Sequence, residues 1–132
     1  MEFPITTAFV AVILGLMQYA LMLTVGVARG PAGVSLGDGG NAELLRKMRR
    51  HGNLAENAPI FLILLGLLEM TGSSATAVTW IGGVFLVARI SHAIALSTSG
   101  SGMPFRPIGA LGTIGAGVGA AGMLLYTLTA GM

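Results

Sequence analysis

The residues able to do chemistry in this chain are concentrated in one stretch, Arg46-Lys-Met-Arg-Arg-His-Gly-Asn-Leu-Ala-Glu-Asn-Ala-Pro59. On a helix turning 100° per residue, Arg46, Arg49, Arg50, Asn53 and Asn57 share an arc of about 100°, with Glu56 just outside it on the Arg49 edge. Lys47 and His51 point elsewhere. Arginines grouped in this way suit carboxylates or another polyanion, because a planar guanidinium donates two parallel hydrogen bonds. Glu56 can hold an ammonium group or neutralise an arginine, and Asn53 and Asn57 can bond to amides. The set fits a small zwitterionic or anionic molecule with several carboxylates. Plainer readings stand beside this one: Arg46, Lys47 and Arg50 as interfacial anchors, Asn53 and Glu56 as polar contacts between helices.

Two further groups belong with it. Arg89 and His92 are three residues apart and share a helical face. Arg89 is the only charge in an apolar segment, so it is expected to pair with Glu56 or to meet a bound anion, while His92 reads equally as an interhelical hydrogen-bonding residue. Arg106, between Pro104 and Pro107, is placed to present its head over the mouth of a bundle. Gln18 and Tyr19 lie deep in the first apolar run and are expected to bond between helices. A metal site is not expected: there are two histidines at no ligand spacing and no cysteine, which also removes disulfide and thiolate chemistry.

The elements that must carry these residues are membrane spans. Only 9% of the residues are Asp, Glu, Lys or Arg against 54% hydrophobic, and the mean hydropathy is +0.84. A soluble domain carries roughly 25% charged residues, so a water-soluble enzyme, a nucleic-acid binder and a disordered chain are all excluded. The 132 residues argue for one domain, 1–132. Phe3 to Ala28 is free of charge and would span about 39 Å as a helix, more than the hydrocarbon layer of roughly 30 Å. It reads as a retained first span, since the only early charge is Glu2 and no signal-type cleavage site follows.

Helices are expected over about 4–28, 43–70, 74–96 and 107–130. Gly30 and Pro31 are expected to end the first, Asn41 to cap the second and Pro59 to bend it, and residues 97–102 to form a flexible loop. In the last span, Gly115 and Gly119 form a small-residue pair that would let another backbone approach closely. All seven basic residues fall at or beside the connections after spans one and three. The positive-inside rule therefore places that side in the cytoplasm and both termini outside. An all-α, four-helix integral membrane bundle results. The compact loops point to a bacterial inner membrane, with both termini periplasmic.

Arg46-x-x-Arg49-x-His51-x-Asn53-x-x-Glu56, followed by Asn57, Pro59 and a leucine-rich run to Glu69, resembles the second helix of the MAPEG family, the membrane-associated proteins in eicosanoid and glutathione metabolism. Arg89-x-x-His92 and Arg106 extend the resemblance over essentially the whole chain. It implies a homotrimer, with glutathione bound between subunits near the cytoplasmic side and a lipophilic small molecule reached from the surrounding membrane lipids. It assigns Arg49, Asn53 and Glu56, with Arg89 and His92, to glutathione contacts and Arg106 to the thiolate. Arg46 and Arg29 are further candidates for the glutathione site, Arg29 on a weak alignment. A guanidinium beside the sulfur favours the thiolate, which then attacks an electrophilic carbon or reduces a peroxide.

Departures from the family pattern bear on activity. Leu96 stands where better-known members carry a tyrosine, Pro107 where a serine is common, and Gly109 to Leu111 where another tyrosine is found. Three functions are thus open: a glutathione-dependent transferase or peroxidase, a non-catalytic protein of the same fold binding a lipid or small anion, and a structural or channel-like homo-oligomer.

Overall fold

The computed structural model describes residues 3–97 and 102–131. Glu2 and most of the loop expected over 97–102 lie outside them. Four helices make up the fold: α1 (Ile5–Ala32), α2 (Ala42–Met70), α3 (Ala75–Ala95) and α4 (Phe105–Ala130). Each is long and apolar enough to cross a membrane. They run alternately up and down. Glu69 at the end of α2 meets the start of α1, and Arg89 near the end of α3 meets the start of α4. Among the described residues α2 and α3 each contact all the other helices, whereas α1 and α4 sit on opposite sides and do not touch.

Each helix buries one narrow stripe. In α1 it is Thr7, Val10, Leu14 and Leu21, and in α2 it includes Leu54, Phe61, Leu65 and Leu68. These intervals of three, four and seven residues keep the side chains on one helical face. The opposite faces expose Phe9, Leu16, Leu23, Ile63, Val87, Leu111 and Val118. Apolar residues both inside and outside are what a bundle solvated by lipid tails requires, since hydrocarbon imposes no polar outer face. Tyr19 joins the outer face, 65% exposed, rather than bonding between helices. Its neighbour Gln18 turns inward, its Nε2 lying 2.8 Å from His51 Nε2 on α2.

The helix ends show which local signals prevailed. α1 continues through Gly30 and Pro31 and stops at Gly33, whose φ of 64° is left-handed and whose N–H returns to Arg29 and Gly30 carbonyls. Proline in the last turn removes one hydrogen bond but does not oblige the chain to leave the helix, whereas the left-handed glycine does. Asn41 caps α2 as expected, accepting from the Glu43 and Leu44 N–H groups at 3.0 Å each. α3 follows after a turn through Gly72, φ 78°.

Glycine packing also differs from expectation. Gly115 and Gly119 have no neighbour within 4 Å of a would-be Cβ, whereas at Gly109 and Gly112 a Cβ would lie 2.7 Å from His92 Cβ and 2.8 Å from Ala88 Cβ. The close approach of α4 to α3 is made by the earlier pair.

At the end opposite the basic residues, Glu69 does more than mark a helix terminus. Its Oε1 accepts from Thr6 N–H at 2.8 Å, and its Oε2 accepts from Thr7 N–H at 2.8 Å and from Thr7 Oγ1 at 2.7 Å. Pro4, the N-cap of α1, offers no side-chain bond, so a carboxylate from α2 satisfies these donors and complements the helix dipole. Replacing Glu69 by Ala should lower stability by about 1–3 kcal/mol, read as an earlier thermal unfolding midpoint in detergent. Glu69→Gln, which keeps an acceptor but not the charge, should fall between.

Candidate functional site

Arg89 is 3% exposed and brings three helices together. Its Nη1 donates to both the backbone carbonyl and the side-chain oxygen of Asn53 on α2. Its Nη2 donates to the Gly109 carbonyl at 3.2 Å and to Thr113 Oγ1 on α4. Thr113 in turn donates to the same Gly109 carbonyl at 2.6 Å. Below the guanidinium, the Phe85 ring centroid is 5.7 Å from Arg89 Cζ, and Phe85 stacks on Phe61 of α2 at 3.7 Å. The cation is thus held by four donations to neutral oxygens and an aromatic face. Its Nε is buried without a partner.

The expected Arg89–Glu56 pair is therefore replaced by Arg89 with Asn53, Thr113 and Gly109. Glu56 points to the uncovered side of α2 and forms no ion pair among the described residues. The reason is angular: Asn53 is inside the polar arc and turned towards α3, while Glu56 lies beyond its edge.

Next to this junction is a cleft of about 180 Å³ lined by Asn53, Asn57, Arg89, His92, Ala110, Thr113 and Ile114. Asn57 donates its Nδ2 to the Asn53 carbonyl at 2.8 Å, one turn back. His92 is half-buried, and its ring makes no hydrogen bond among the described residues. The cleft thus joins Asn53 and Asn57 from α2, Arg89 and His92 from α3 and Thr113 from α4. Arg49 and Arg106 are exposed, and Arg46 is half-buried nearer the start of α2. Among the described residues Lys47 alone of the cations has a carboxylate partner, Glu43 at 2.8 Å.

Arg29 is elsewhere. It lines a separate cleft of about 340 Å³ between α1 and α2 with Met22, Met48 and His51. Its Nη1 donates to the Gly37 carbonyl at 3.0 Å and more weakly to Val34 at 3.4 Å, binding the α1–α2 connection to the helix it leaves. Within one subunit it does not reach the Asn53–His92 cleft.

Thr113 was not singled out by its sequence context. The available signal was its position seven residues after Arg106, on the same face of α4 and one turn beyond Gly109. Together these residues form a cationic cleft with two amides and a free imidazole at one end of an apolar bundle. Such a cleft can hold a compact anion and favour negative charge as it develops.

Residues 7–126 match the MAPEG family profile. The chain belongs to the MAPEG family. Curated relatives include the inner membrane protein YecN of Escherichia coli K12 and its counterpart in the O6:H1 strain CFT073, each 41% identical over 59 residues. That match covers 45% of this chain and 45% of each relative, so the chain spans about half the length of the curated relatives it matches. This MAPEG chain is an integral membrane protein of four apolar helices, with its basic residues towards one end.

The junction can be tested directly. Thr113→Val, nearly isosteric, removes one acceptor from a buried cation and should cost about 1–3 kcal/mol. Arg89→Lys keeps the charge but cannot span α2 and α4 with paired donors, and should cost at least as much. Thermal unfolding in one detergent compares them; wild-type midpoints in both would show that the junction contributes nothing to stability.

Proposed function

We propose that this protein is a glutathione-dependent transferase or peroxidase acting on a lipophilic electrophile, assembled as a homotrimer in a bacterial inner membrane. The observation that carries the reading is the cleft lined by Asn53, Asn57, Arg89 and His92, with the exposed Arg49 and Arg106 on the adjoining helices α2 and α4. Glutathione offers two carboxylates, an ammonium group, two amides and a thiol, and these correspond to arginines, Glu56 and asparagine amides. Arg49, Asn53 and Glu56 hold the peptide, His92 contacts it, and Arg106 stabilises the thiolate. Arg89 acts by position, keeping Asn53 and α4 in register.

The size of the cleft supports assembly. Small-molecule sites have volumes of about 300–1,000 Å³, against about 180 Å³ here. Arg49, Glu56 and Arg106 are exposed on a single subunit, and a charge facing hydrocarbon costs several kcal/mol. A neighbouring copy covers these side chains and completes the site, and Arg29 and Arg46 contribute from the same cytoplasmic end. The positive-inside rule sets the orientation, with both termini in the periplasm.

A second reading, a non-catalytic member that binds a lipid or small anion, is favoured by Leu96, Pro107 and Gly109–Leu111. These positions supply none of the hydroxyls found in better-known members.

Calorimetric titration of glutathione into the detergent-solubilised protein, with thiolate absorbance followed in parallel, decides between the two. Saturable binding should be lost in Arg49→Ala and Glu56→Ala, and the thiolate signal should be lost in Arg106→Ala. Conjugation of a generic aryl halide should then follow the thiolate signal. Absence of saturable binding at millimolar glutathione would overturn the enzyme reading.

A further inference from the structure

The family reading explains how a thiolate is stabilised but not where the thiol proton goes. Arginine cannot take it, whether Arg89 in the cleft or the exposed Arg49 on α2 and Arg106 on α4, because a guanidinium has only donors and no acceptor. Glu56 is exposed on the uncovered side of α2 and does not line the cleft. Arg29, the only arginine on α1, is bonded to loop carbonyls in a different cleft. His51 is paired with Gln18 on the α1 side. His92 alone lines the cleft with a ring that makes no hydrogen bond among the described residues. Its backbone is pressed against α4 at Gly109, where a Cβ would lie 2.8 Å from His92 N and 2.9 Å from its Cα. The imidazole therefore projects into the cleft from a rigid base.

We propose that His92 is the catalytic base that accepts the thiol proton of bound glutathione. The inference rests on the glutathione reading above and adds a step to it. The S–H bond breaks with its electron pair left on sulfur, and the proton forms an N–H bond on the imidazole. When the thiolate opens an electrophile such as an epoxide, a C–S bond forms and a C–O bond breaks. The alkoxide takes the proton back from the imidazolium, so His92 returns to its starting state without any other reactant. With Leu96 and Pro107 where a tyrosine and a serine would stand, this ring is the side chain of the cleft that has a nitrogen able both to accept and to return a proton.

The test counts protons. Glutathione is titrated into the solubilised protein at a pH about one unit above the ordinary imidazole value of ~6.5, in buffers of different protonation enthalpy, with thiolate absorbance recorded. In the wild type, thiolate should form with almost no proton released to buffer. In His92→Asn and His92→Gln, any thiolate formed should release about one proton per glutathione bound. Their kcat for epoxide opening should fall about 100-fold with little change in KM, and added imidazole should restore part of the rate in His92→Ala. Wild-type release of a full proton with each thiolate would overturn the role of His92 while leaving glutathione binding intact, and it requires no variant to fold. Absence of binding or of thiolate in the wild type would instead end the glutathione reading, and the proton step with it.

Discussion

The structure is organised around a positive charge that meets no carboxylate among the described residues. Arg89 is buried between three helices, and its countercharge is distributed over Asn53, Gly109, Thr113 and the Phe85 ring. In a low-dielectric interior a guanidinium is costly unless most of its donors are satisfied, and here both Nη atoms donate while Nε does not. Each of these partners is therefore also a constraint on helix position. Asn53 fixes the rotation of α2, Gly109 and Thr113 fix the register of α4, and Phe85 stacked on Phe61 fills the space below. The approach of α4 is close enough that Gly109 and Gly112 cannot carry a side chain without displacing α3.

The two ends of the bundle are finished differently, which places the chemistry. At one end Glu69 receives two N–H groups and a hydroxyl from the start of α1, so a potentially exposed carboxylate becomes an internal cap. At the other, Arg89 and His92 of α3 line a small cleft with Asn53 and Asn57 of α2 and Thr113 of α4, and Glu56 is turned to the outside. A membrane protein can leave leucine and valine facing lipid, but not Arg49 and Glu56. That end therefore carries exposed charge that bare hydrocarbon would not solvate.

The span count, the polar stripe on α2, the Asn41 cap and the shared face of Arg89 and His92 were legible because each depends on spacing along one helix. The end of α1 was misplaced because Pro31 is a strong local signal, while the left-handed Gly33, two residues later, decided where the helix stopped. The partner of Arg89 was misassigned because opposite charge suggested Glu56, and only the relative rotation of α2 and α3 shows that Asn53 is the residue presented. The glycine pair at 115 and 119 has the spacing of a packing motif but faces away from the bundle. Gly109 and Gly112, lacking that spacing, face α3.

Sequence alone determined that this is an all-helical membrane chain, that its basic residues lie towards one end, and which residues share a face. Hydropathy and helical periodicity are properties of single segments, and hydrocarbon permits few alternatives to a helix. Tertiary structure decided which faces meet. It put Thr113 and a backbone carbonyl against Arg89, sent Arg29 to a different cleft and gave Glu69 to the start of α1. It also left Arg49 and Glu56 uncovered. These outcomes follow from the rotation and depth of each helix relative to its neighbours, which are set by the summed packing of the whole bundle and not by any one segment.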